Sequence, residues 1–470
     1  HHVPLTPLAQ EDALRLIARH SPELTAQQQH RLAERAMGNP LALTEWSTNP
    51  SWIEGASSAK RSRVPMGKRL EDSFLAEVAL LPAATRHALL VAAAGQDCSS
   101  HEVLAAARNL GLDQSDFAPS ESFGLITLSS GTFRFRHPLV GSAVYDNADS
   151  DARSRVHTEL AKVVVDPARA VQHRAAAVTG WNEEVAVELE ELAVATGRRG
   201  ARTEAAAAWR RAVALTPVPT VRARRTVMAA EAARQAGATA DAVALLAEAK
   251  PSADDEATVV QLARTEWMLA STSTTLPDRG ADELIALSRA LSNPDDRVEV
   301  LTWAAVRSYT RQDFSAEVTA AVTEELRRPD IAVTERQRLL QSIGLVLIGS
   351  ADRITSVDKA LSIFQQQVRE TDVTLLNCLA FAFEDAHHLA DAERVWSAEA
   401  DMFHRMVRTS DETVALAGRS TVRPRSVMAS PPSVNTSISA AATVEPIIYM
   451  GEKPKVALAM LAVMSSISLP

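Results

Sequence analysis

Apolar residues recur at helical spacing through the first quarter of this chain of 470 residues. Between residues 5 and 38 the pattern predicts two short helices, separated by a Ser-Pro pair and ended by Gly38-Asn39. Pro40 then opens a third helix, because proline is favoured at the first helical position. Residues 70–112 predict three more short helices. The chain therefore begins as a run of small helices.

A period-two pattern then interrupts the helices. The segments Gly124–Leu128 and Thr132–Arg136 predict two short strands around a Ser-Ser-Gly turn, with phenylalanines on one face of the second strand and arginines on the other. That strand runs through His137 into a helix that Pro138 opens. Short helices followed by such a hairpin are typical of a winged helix.

The junction of strand and helix places cations beside a helix N-terminus. Arg134, Arg136 and His137 precede the backbone N–H groups that a helix start leaves without intrahelical partners. Such N–H groups together with cations can hold a phosphate. The same arrangement also serves as a plain structural joint, and because most charged strand residues are solvated, local physics favours the joint.

From Asp149 to about Ala417 the sequence is alanine-rich and helical almost without interruption. Ala205, Trp209 and Ala212 form a small-large-small ridge on which a neighbouring helix can pack. The recurrence of this step predicts a degenerate helical array with a period close to the roughly 34 residues of tetratricopeptide repeats, and a generic helical bundle is the alternative. Similar spacing occurs at Ala242, Leu246 and Ala249, at Ala360, Phe364 and Gln367, and at Ala392, Trp396 and Glu399.

Composition and charge narrow the classes of function. The net charge of −9 gives no general attraction to nucleic acid or to an anionic membrane. Cys98 and Cys378, the only cysteines, exclude a disulfide framework and a thiolate metal site, and they are expected to be small buried residues in a reducing cytoplasm. No apolar run reaches the roughly 20 residues that a membrane span needs.

The histidines and arginines outside the junction of strand and helix are predicted to have structural roles and not to bind ligands. The histidines lack Cys or carboxylate companions at ligand spacing, so no metal site is predicted. The arginines near residues 198–225 are predicted to form a solvated face paired with glutamates, and the tryptophans to anchor helix packing. The histidines concerned are His101, His157, His173, His387 and His388.

Four stretches in order resemble the large ATP-binding regulators of the LuxR type, a branch of the signal-transduction ATPases with numerous domains. Leu5–Ala13 resembles the segment after the sensor strand of their nucleotide-binding domain. Gly38–Leu43, with the sequence Gly-Asn-Pro-Leu-Ala-Leu, resembles their lid motif. Phe123–His157, including Arg136-His137-Pro138-Leu139, resembles their winged helix, and Arg199–Gly237 resembles their first repeats. The resemblance covers residues 1 to about 250.

The resemblance implies a mainly α fold with four regions. Residues 1–65 would be the C-terminal lid part of a nucleotide-binding domain, and residues 66–148 a winged helix with a short β-hairpin. Residues 149–417 would be a tetratricopeptide-like helical repeat array. Residues 418–470, rich in Pro and Ser, are expected to be a disordered tail, which a frameshift near Gly418 would explain.

The resemblance also implies a nucleotide site. Pro40, with Asn39 beside it, would contact the base of ATP or ADP, and His137 with Arg136 would approach the phosphates. For His137 the alternative is a helix-start residue bonded to a neighbouring carbonyl, and both interpretations stay open. The chain contains no phosphate loop of the GxxxxGK[ST] kind. Tight nucleotide binding and ATP hydrolysis are therefore expected only of a longer parent protein.

These observations predict a cytoplasmic fragment of an ATP-dependent transcriptional regulator that serves as a nucleotide-gated, signal-sensing and autoinhibitory module. The repeats would bind a small-molecule inducer or a regulatory protein. Residues 70–145 carry a net charge of −4, which opposes DNA binding there. DNA would be bound only through a C-terminal helix-turn-helix that this sequence lacks. The alternative is a stand-alone helical-repeat adaptor that binds peptides and no nucleotide.

Overall fold

The structure, a computed structural model, shows two compact units. The first comprises residues 1–236 with 247–252, and the second comprises residues 237–246 with 253–470. The described residues are 7–22, 24–36, 38–47, 68–129, 131–270, 279–311, 316–349, 357–367, 373–405, 415–416 and 418–420.

The first unit begins with the short helices that the sequence predicts. Before the hairpin lie α1 (Gln10–His20), α2 (Ala26–Ala36), α3 (Pro40–Ser47), α4 (Lys68–Ala79), α5 (Ala83–Ala94), α6 (Ser100–Asn109) and α7 (Ala118–Ser122), with a 3-10 turn at Gln114–Phe117. After it lie α8 (Pro138–Asn147), α9 (Ser150–Val163), α10 (Pro167–Ala177), α11 (Glu183–Arg198), α12 (Arg202–Leu215) and α13 (Pro219–Gln235).

The predicted hairpin is present and slightly shorter than expected. Strand β1 (Ile126–Ser129) pairs antiparallel with β2 (Thr132–Phe135), and Ile126 lies opposite Phe135. Phe133 is buried and its ring stacks on that of Phe117 at a centroid distance of 4.7 Å, whereas Arg134 is exposed. The alternation therefore buries the phenylalanine face against the helices, as the period-two pattern predicts.

One apolar core cluster extends through the first unit from Ala13 to Val164. It includes residues of the N-terminal helices, of the hairpin and of α8 and α9. The cluster therefore crosses residues 65 and 148, at which the sequence predicts boundaries between regions. The division of the chain at these two positions stays a prediction. Because the hairpin and α8 contribute to this core, the junction between them is held rigidly by packing on several sides.

The second unit is helical in its described residues. Consecutive helices pack in pairs, notably α16 with α17 and α21 with α22, and α17 also packs against α19. This confirms the mainly α, repeat-like arrangement. The helices are α14 (Thr239–Ala249, whose last three residues belong to the first unit), α15 (Glu256–Ala270), α16 (Ala281–Ala290), α17 (Pro294–Arg311), α18 (Ala316–Leu326), α19 (Glu335–Leu347), α20 (Val357–Gln367), α21 (Val373–Asp385) and α22 (Leu389–Arg405).

The small-large-small positions form buried helix contacts. Trp209 is 4% exposed and Trp396 is fully buried, and the small residues flanking them on their helices are buried too. Glu399, which ends the last of these ridges, is buried as well and accepts a hydrogen bond of 2.6 Å from Asn377. The side chains of Phe364 and Gln367, and the tail beyond residue 420, lie outside the described residues.

The repeat period also appears in the side-chain pairs that join one helix to another. Several Arg–carboxylate pairs link residues 34–37 positions apart, and Trp267 stacks on Trp303, 36 positions further, at a centroid distance of 5.9 Å. Such regular separations are what a stack of two-helix units of about this length produces. Within the first unit the pairs are Arg224–Glu190 and Arg225–Glu190, and within the second Arg264–Glu299, Arg289–Glu325, Arg336–Glu299 and Arg394–Asp358.

Within the described ranges, no helix combines the length and the apolar character that crossing a membrane would need.

Candidate functional site

The Gly-Asn-Pro motif makes a tight link between α2 and α3. Gly38 follows the end of α2 with a φ of +73°, a conformation that disfavours any residue with a Cβ. Its carbonyl accepts a hydrogen bond of 2.9 Å from the N–H of Leu8. A Cβ on Gly38 would lie 2.5 Å from the Leu8 oxygen and 2.8 Å from the Leu8 nitrogen. Both the backbone conformation and the close approach of the Leu8 segment require glycine here.

Asn39 and Pro40 start helix α3 as their side-chain chemistry predicts. The Oδ1 atom of Asn39 accepts a hydrogen bond of 3.2 Å from the N–H of Ala42, which makes Asn39 the N-cap. Its own N–H donates to the carbonyl of Ala36 at 2.9 Å. Pro40 occupies the first helical position and is exposed. The motif thus turns the chain sharply and leaves the proline ring accessible to a ligand.

His137 caps helix α8 and reaches back to the end of α2. Its Nδ1 accepts a hydrogen bond of 3.2 Å from the N–H of Leu139, so Nε2 carries the proton and donates to the carbonyl of Ala36 at 3.1 Å. The ring is buried and stacks on Phe74 of α4 at a centroid distance of 6.2 Å. Both ring nitrogens are therefore engaged within the protein.

Burial lowers the pKa of His137. The hydrogen bond to Ala36 acts in the opposite direction, and the charge of Arg136 adds to the lowering. A histidine with a lowered pKa stays neutral more readily near neutral pH, and a neutral ring is what the bonding of His137 requires. The electrostatics and the hydrogen bonds thus favour the same protonation state.

Arg136 forms an ion pair rather than a vacant cationic site. Its Nη2 lies 2.7 Å from Oε2 of Glu77 on α4, and the two side chains are 45% and 43% exposed. Its backbone N–H donates to the carbonyl of Leu125 at 2.8 Å, which extends the hairpin pairing by one bond. An ion pair this exposed contributes about 0–1 kcal/mol. The guanidinium can therefore exchange its carboxylate for another anion at little cost.

The structure brings together the two segments that the sequence analysis proposes for one site. The carbonyl of Ala36 accepts from both Asn39 and His137, which joins the Gly-Asn-Pro motif to the start of α8 across 101 residues of sequence. For His137 the geometry matches the carbonyl-bonded alternative. The assignment of Pro40, Asn39, His137 and Arg136 to a nucleotide stays a prediction.

Two partners of this site, Glu77 and Phe74, could not be predicted from the sequence. Both lie on α4, and no motif marks them, since an acid and an aromatic residue three positions apart are common on any amphipathic helix. A further contact, between Nε2 of His173 and Sγ of Cys98 at 3.5 Å, joins residues 75 positions apart, so no spacing in the sequence marks it. The described residues nevertheless contain no cluster of His, Cys, Asp or Glu that could hold a metal ion.

Comparisons with known proteins give little similarity. No protein-family model and no curated protein matches the chain. Among solved structures, a signal transduction ATPase with numerous domains that carries a tetratricopeptide repeat sensor, from Pyrococcus horikoshii, aligns over 90% of this chain with 14% sequence identity and a TM-score of 0.30. The aligned region spans 64% of that chain.

Proposed function

We propose that this chain is the sensing and gating portion of an ATP-dependent regulator of the LuxR type. In this proposal residues 38–47 act as the nucleotide lid, and the hairpin with α8 acts as a winged helix that closes on it. The observation that carries the proposal is the hydrogen bond from His137 to Ala36, because it couples the two segments that resemble lid and winged helix. The chain by itself would hydrolyse no ATP, since it lacks a phosphate loop.

The geometry suggests how a nucleotide would gate the protein. Ala36 holds Asn39 and His137 on a single carbonyl oxygen, so a displacement of the lid segment disturbs the cap of α8. A nucleotide that prefers one arrangement of Asn39 and Pro40 would then shift the position of the winged helix by its difference in affinity for the two states. His137 serves here as a positioning residue, and the exposed Pro40 and Arg136 are the groups available to the nucleotide itself.

The helical repeats would receive the signal in this proposal. A stack of helix pairs offers an extended surface to a small-molecule inducer or a regulatory protein. DNA would be bound by a further domain of the parent protein and not by the winged helix, whose region carries a net charge of −4.

ADP binding by the complete reading frame tests the proposal. The coding sequence upstream of residue 1 should contain a phosphate loop, and the full-length protein should bind ADP. His137→Ala should weaken ADP binding at least tenfold, because the lid loses its bond to α8, while His101→Ala, an exposed histidine on α6, should leave the affinity unchanged. Isothermal titration measures both variants, and far-UV circular dichroism checks that both are folded. ADP affinity that is the same in His137→Ala as in the parent would refute the proposal.

A helical-repeat adaptor without nucleotide is the second candidate function. The observation that favours it is that the polar groups of His137 and Arg136 already have partners within the protein. Both nitrogens of His137 are hydrogen-bonded, and Arg136 is paired with Glu77. Under this alternative the full reading frame has a start codon near residue 1 and binds no ADP, and the repeats bind a peptide.

A further inference from the structure

Four titratable side chains form a continuous hydrogen-bonded row inside the first unit. The Oη atom of Tyr145 lies 2.6 Å from Nε2 of His157, and Nδ1 of His157 lies 2.8 Å from Nδ1 of His173. The other nitrogen of His173, Nε2, lies 3.5 Å from Sγ of Cys98. Each of the four residues is less than a tenth exposed. The row has no part in the proposed nucleotide site.

The row joins four separate segments. Tyr145 lies on α8, His157 on α9 and His173 on α10, and Cys98 lies in the turn after α5. These segments are where the hairpin-bearing helices meet the first helices of the predicted repeat array. A change in the row would therefore alter how α10 is held against the helices before it.

The contact between the two imidazoles limits the number of protons that the row can hold while it stays closed. Two ring nitrogens 2.8 Å apart share a single proton, so one donates and the other accepts. With both rings neutral, each residue of the row can donate a hydrogen bond to the next, either from Tyr145 towards Cys98 or from Cys98 towards Tyr145. In both directions all four imidazole nitrogens have a partner. When both rings are protonated, two N–H groups face each other, and the contact between His157 and His173 has to break.

Charged groups on every side influence this uptake of protons. Burial lowers the pKa of His173 to about 4, the nearby Arg169 lowers it further, and Asp97 and Glu102 act in the opposite direction. Near Tyr145, the guanidinium of Arg153 lies 5.5 Å from the centre of its ring, and Arg211 donates from Nη2 to the carbonyl of Ala175 on α10 at 2.5 Å. The titratable groups within the row itself are the phenol of Tyr145, the thiol of Cys98 and the two imidazoles.

Glu102 provides an anchor that resists acid. Burial acts to raise its pKa, but hydrogen bonds from Val165 and Ser99 and the charge of Arg169 outweigh burial, so the pKa is lowered. Its Oε1 accepts from the N–H of Val165, between α9 and α10, at 3.0 Å. This carboxylate stays ionised at pH values at which free histidines take up protons. Protonation of the histidines would then release α10 locally and leave this anchor in place.

We propose that the row Tyr145–His157–His173–Cys98 is an acid-sensitive latch. It holds α10 against α8, α9 and the turn at Cys98 while the two imidazoles share one proton, and it opens when both imidazoles are protonated. This proposal does not depend on the proposed nucleotide site, and its test can succeed or fail whether or not the protein binds a nucleotide. The function of the latch would be to free the first repeat helices in response to mild acidification.

Opening takes up two protons, because the closed pair is neutral and the open pair carries two charges. By linkage, the ratio of open to closed protein should rise by up to about 100-fold for each pH unit below the ordinary histidine pKa of about 6.5. A single titrating histidine would give at most about tenfold. The steepness of the response therefore separates a shared pair from two unrelated histidines.

The labelling rate of Cys98 reports the opening directly. Cys98 is 3% exposed, and burial, followed by the charge of Glu102, raises the pKa of its thiol to about 11, so it is protected while the latch is closed. The reagent is dithiodipyridine, a disulfide that stays reactive in acid, used between pH 7.5 and 5 with mass-spectrometric mapping. A peptide spanning residues 95–101 provides the reference rate at each pH. Because acid lowers the thiolate fraction, a loss of protection on acidification runs against the intrinsic chemistry of the thiol.

Below the ordinary histidine pKa of about 6.5 we expect the protection of Cys98 to fall by more than tenfold per pH unit, while the protection of the fully buried Cys378 stays constant. His157→Gln/His173→Gln, which retains polar side chains that do not titrate, should remove the pH dependence at Cys98. His101→Gln, on an exposed residue of α6, should behave as the unchanged protein. The proposal would be overturned if the protection of Cys98 stayed constant with pH, or if Cys98 and Cys378 lost their protection in parallel.

A second measurement on the unchanged protein decides the matter if the double variant fails to fold. With 13C-labelled histidine, NMR follows each imidazole through the same pH range. The latch requires His157 and His173 to titrate together and more steeply than a single imidazole would. Separate titrations of the two rings, each at the ordinary pKa, would overturn it.

Discussion

Gly38 is the residue on which the geometry of the Gly-Asn-Pro motif depends most directly. Gly38→Ala places a Cβ 2.5 Å from the Leu8 oxygen and also imposes a left-handed backbone on alanine. The conformational part costs about 1–2 kcal/mol, and the contact with Leu8 adds to it. We expect the free energy of unfolding of the first unit to fall by more than the conformational part alone, as measured by urea denaturation.

Gly111→Ala is the matched control for this prediction. Gly111 has a φ of +76°, and no atom lies within 4 Å of the position that a Cβ would take there, so its substitution carries only the conformational cost. The difference between the two variants isolates the close approach of Leu8 to Gly38. Equal losses of stability in the two variants would contradict the close packing described here.

Glu384 in the second unit gives a pH-dependent prediction. Burial raises its pKa to about 7, while a hydrogen bond of 2.7 Å from Nε1 of Trp396 acts in the opposite direction. The folded state thus binds a proton that the unfolded state, with a pKa near 4.5, has lost. Stability from this group is complete below pH 4.5 and declines as the pH rises to about 7, by up to about 3 kcal/mol.

Glu384→Gln should therefore stabilise the second unit at pH 8 relative to the unchanged protein and have little effect at pH 5, because glutamine still accepts from Trp396. Urea denaturation at the two pH values measures the difference. Asp401→Asn, at an exposed position of α22, is the control and should show no such change. An equal effect of Glu384→Gln at both pH values would argue against a raised pKa.

At the scale of elements, local chemistry made the secondary structure predictable. Pro40 and Pro138 each open a helix, and Gly38 ends one, because their backbone preferences act within a few residues. The alternation around Phe133 predicted the hairpin and its buried face for the same reason. Predictions of this kind need no knowledge of distant contacts.

Long-range pairing of charges was harder to predict. The arginines near residues 198–225 were predicted to form a solvated face paired with glutamates; Arg225 is paired with glutamates, but the solvated face is wrong for Arg225 and Arg202, which are 1% and 8% exposed. The guanidinium of Arg225 donates to Glu183, to Glu190 and to Thr216 at 2.7–3.0 Å. The partners lie up to 42 positions away, so only the packing of α11, α12 and α13 brings them together.

Arg225→Met should therefore destabilise the first unit strongly. It removes a buried cation together with its hydrogen bonds to Glu183, Glu190 and Thr216, which costs about 3 kcal/mol. The neighbouring Arg224, 44% exposed and bonded to the same Glu190, is the matched control, and Arg224→Met should cost at most about 1 kcal/mol. Urea denaturation at pH 7 compares the two. Similar losses from the two substitutions would mean that burial of Arg225 does not set its contribution.

At the scale of the whole molecule, the candidate site was predictable in part. The motifs around Pro40 and His137 predicted the starts of α3 and α8, because helix caps are local features, and their assignment to a nucleotide stays a prediction. One of the two interpretations of His137 had it bonded to a neighbouring carbonyl, but the partner, Ala36, lies 101 residues away in the sequence and could not be named from it. The row from Tyr145 to Cys98 was missed altogether, since its members come from four segments with no shared sequence pattern.

The central claim is that the lid-like segment and the winged-helix-like segment close together on a nucleotide. Hydrogen–deuterium exchange of the complete reading frame, with and without saturating ADP, tests this claim most directly. Our account predicts that ADP slows amide exchange at least tenfold in both α3 (Pro40–Ser47) and the first turns of α8 (Pro138–Asn147), and that His137→Ala abolishes the slowing in α8 alone. Bound ADP that leaves exchange in both helices unchanged, or the absence of ADP binding, would contradict it.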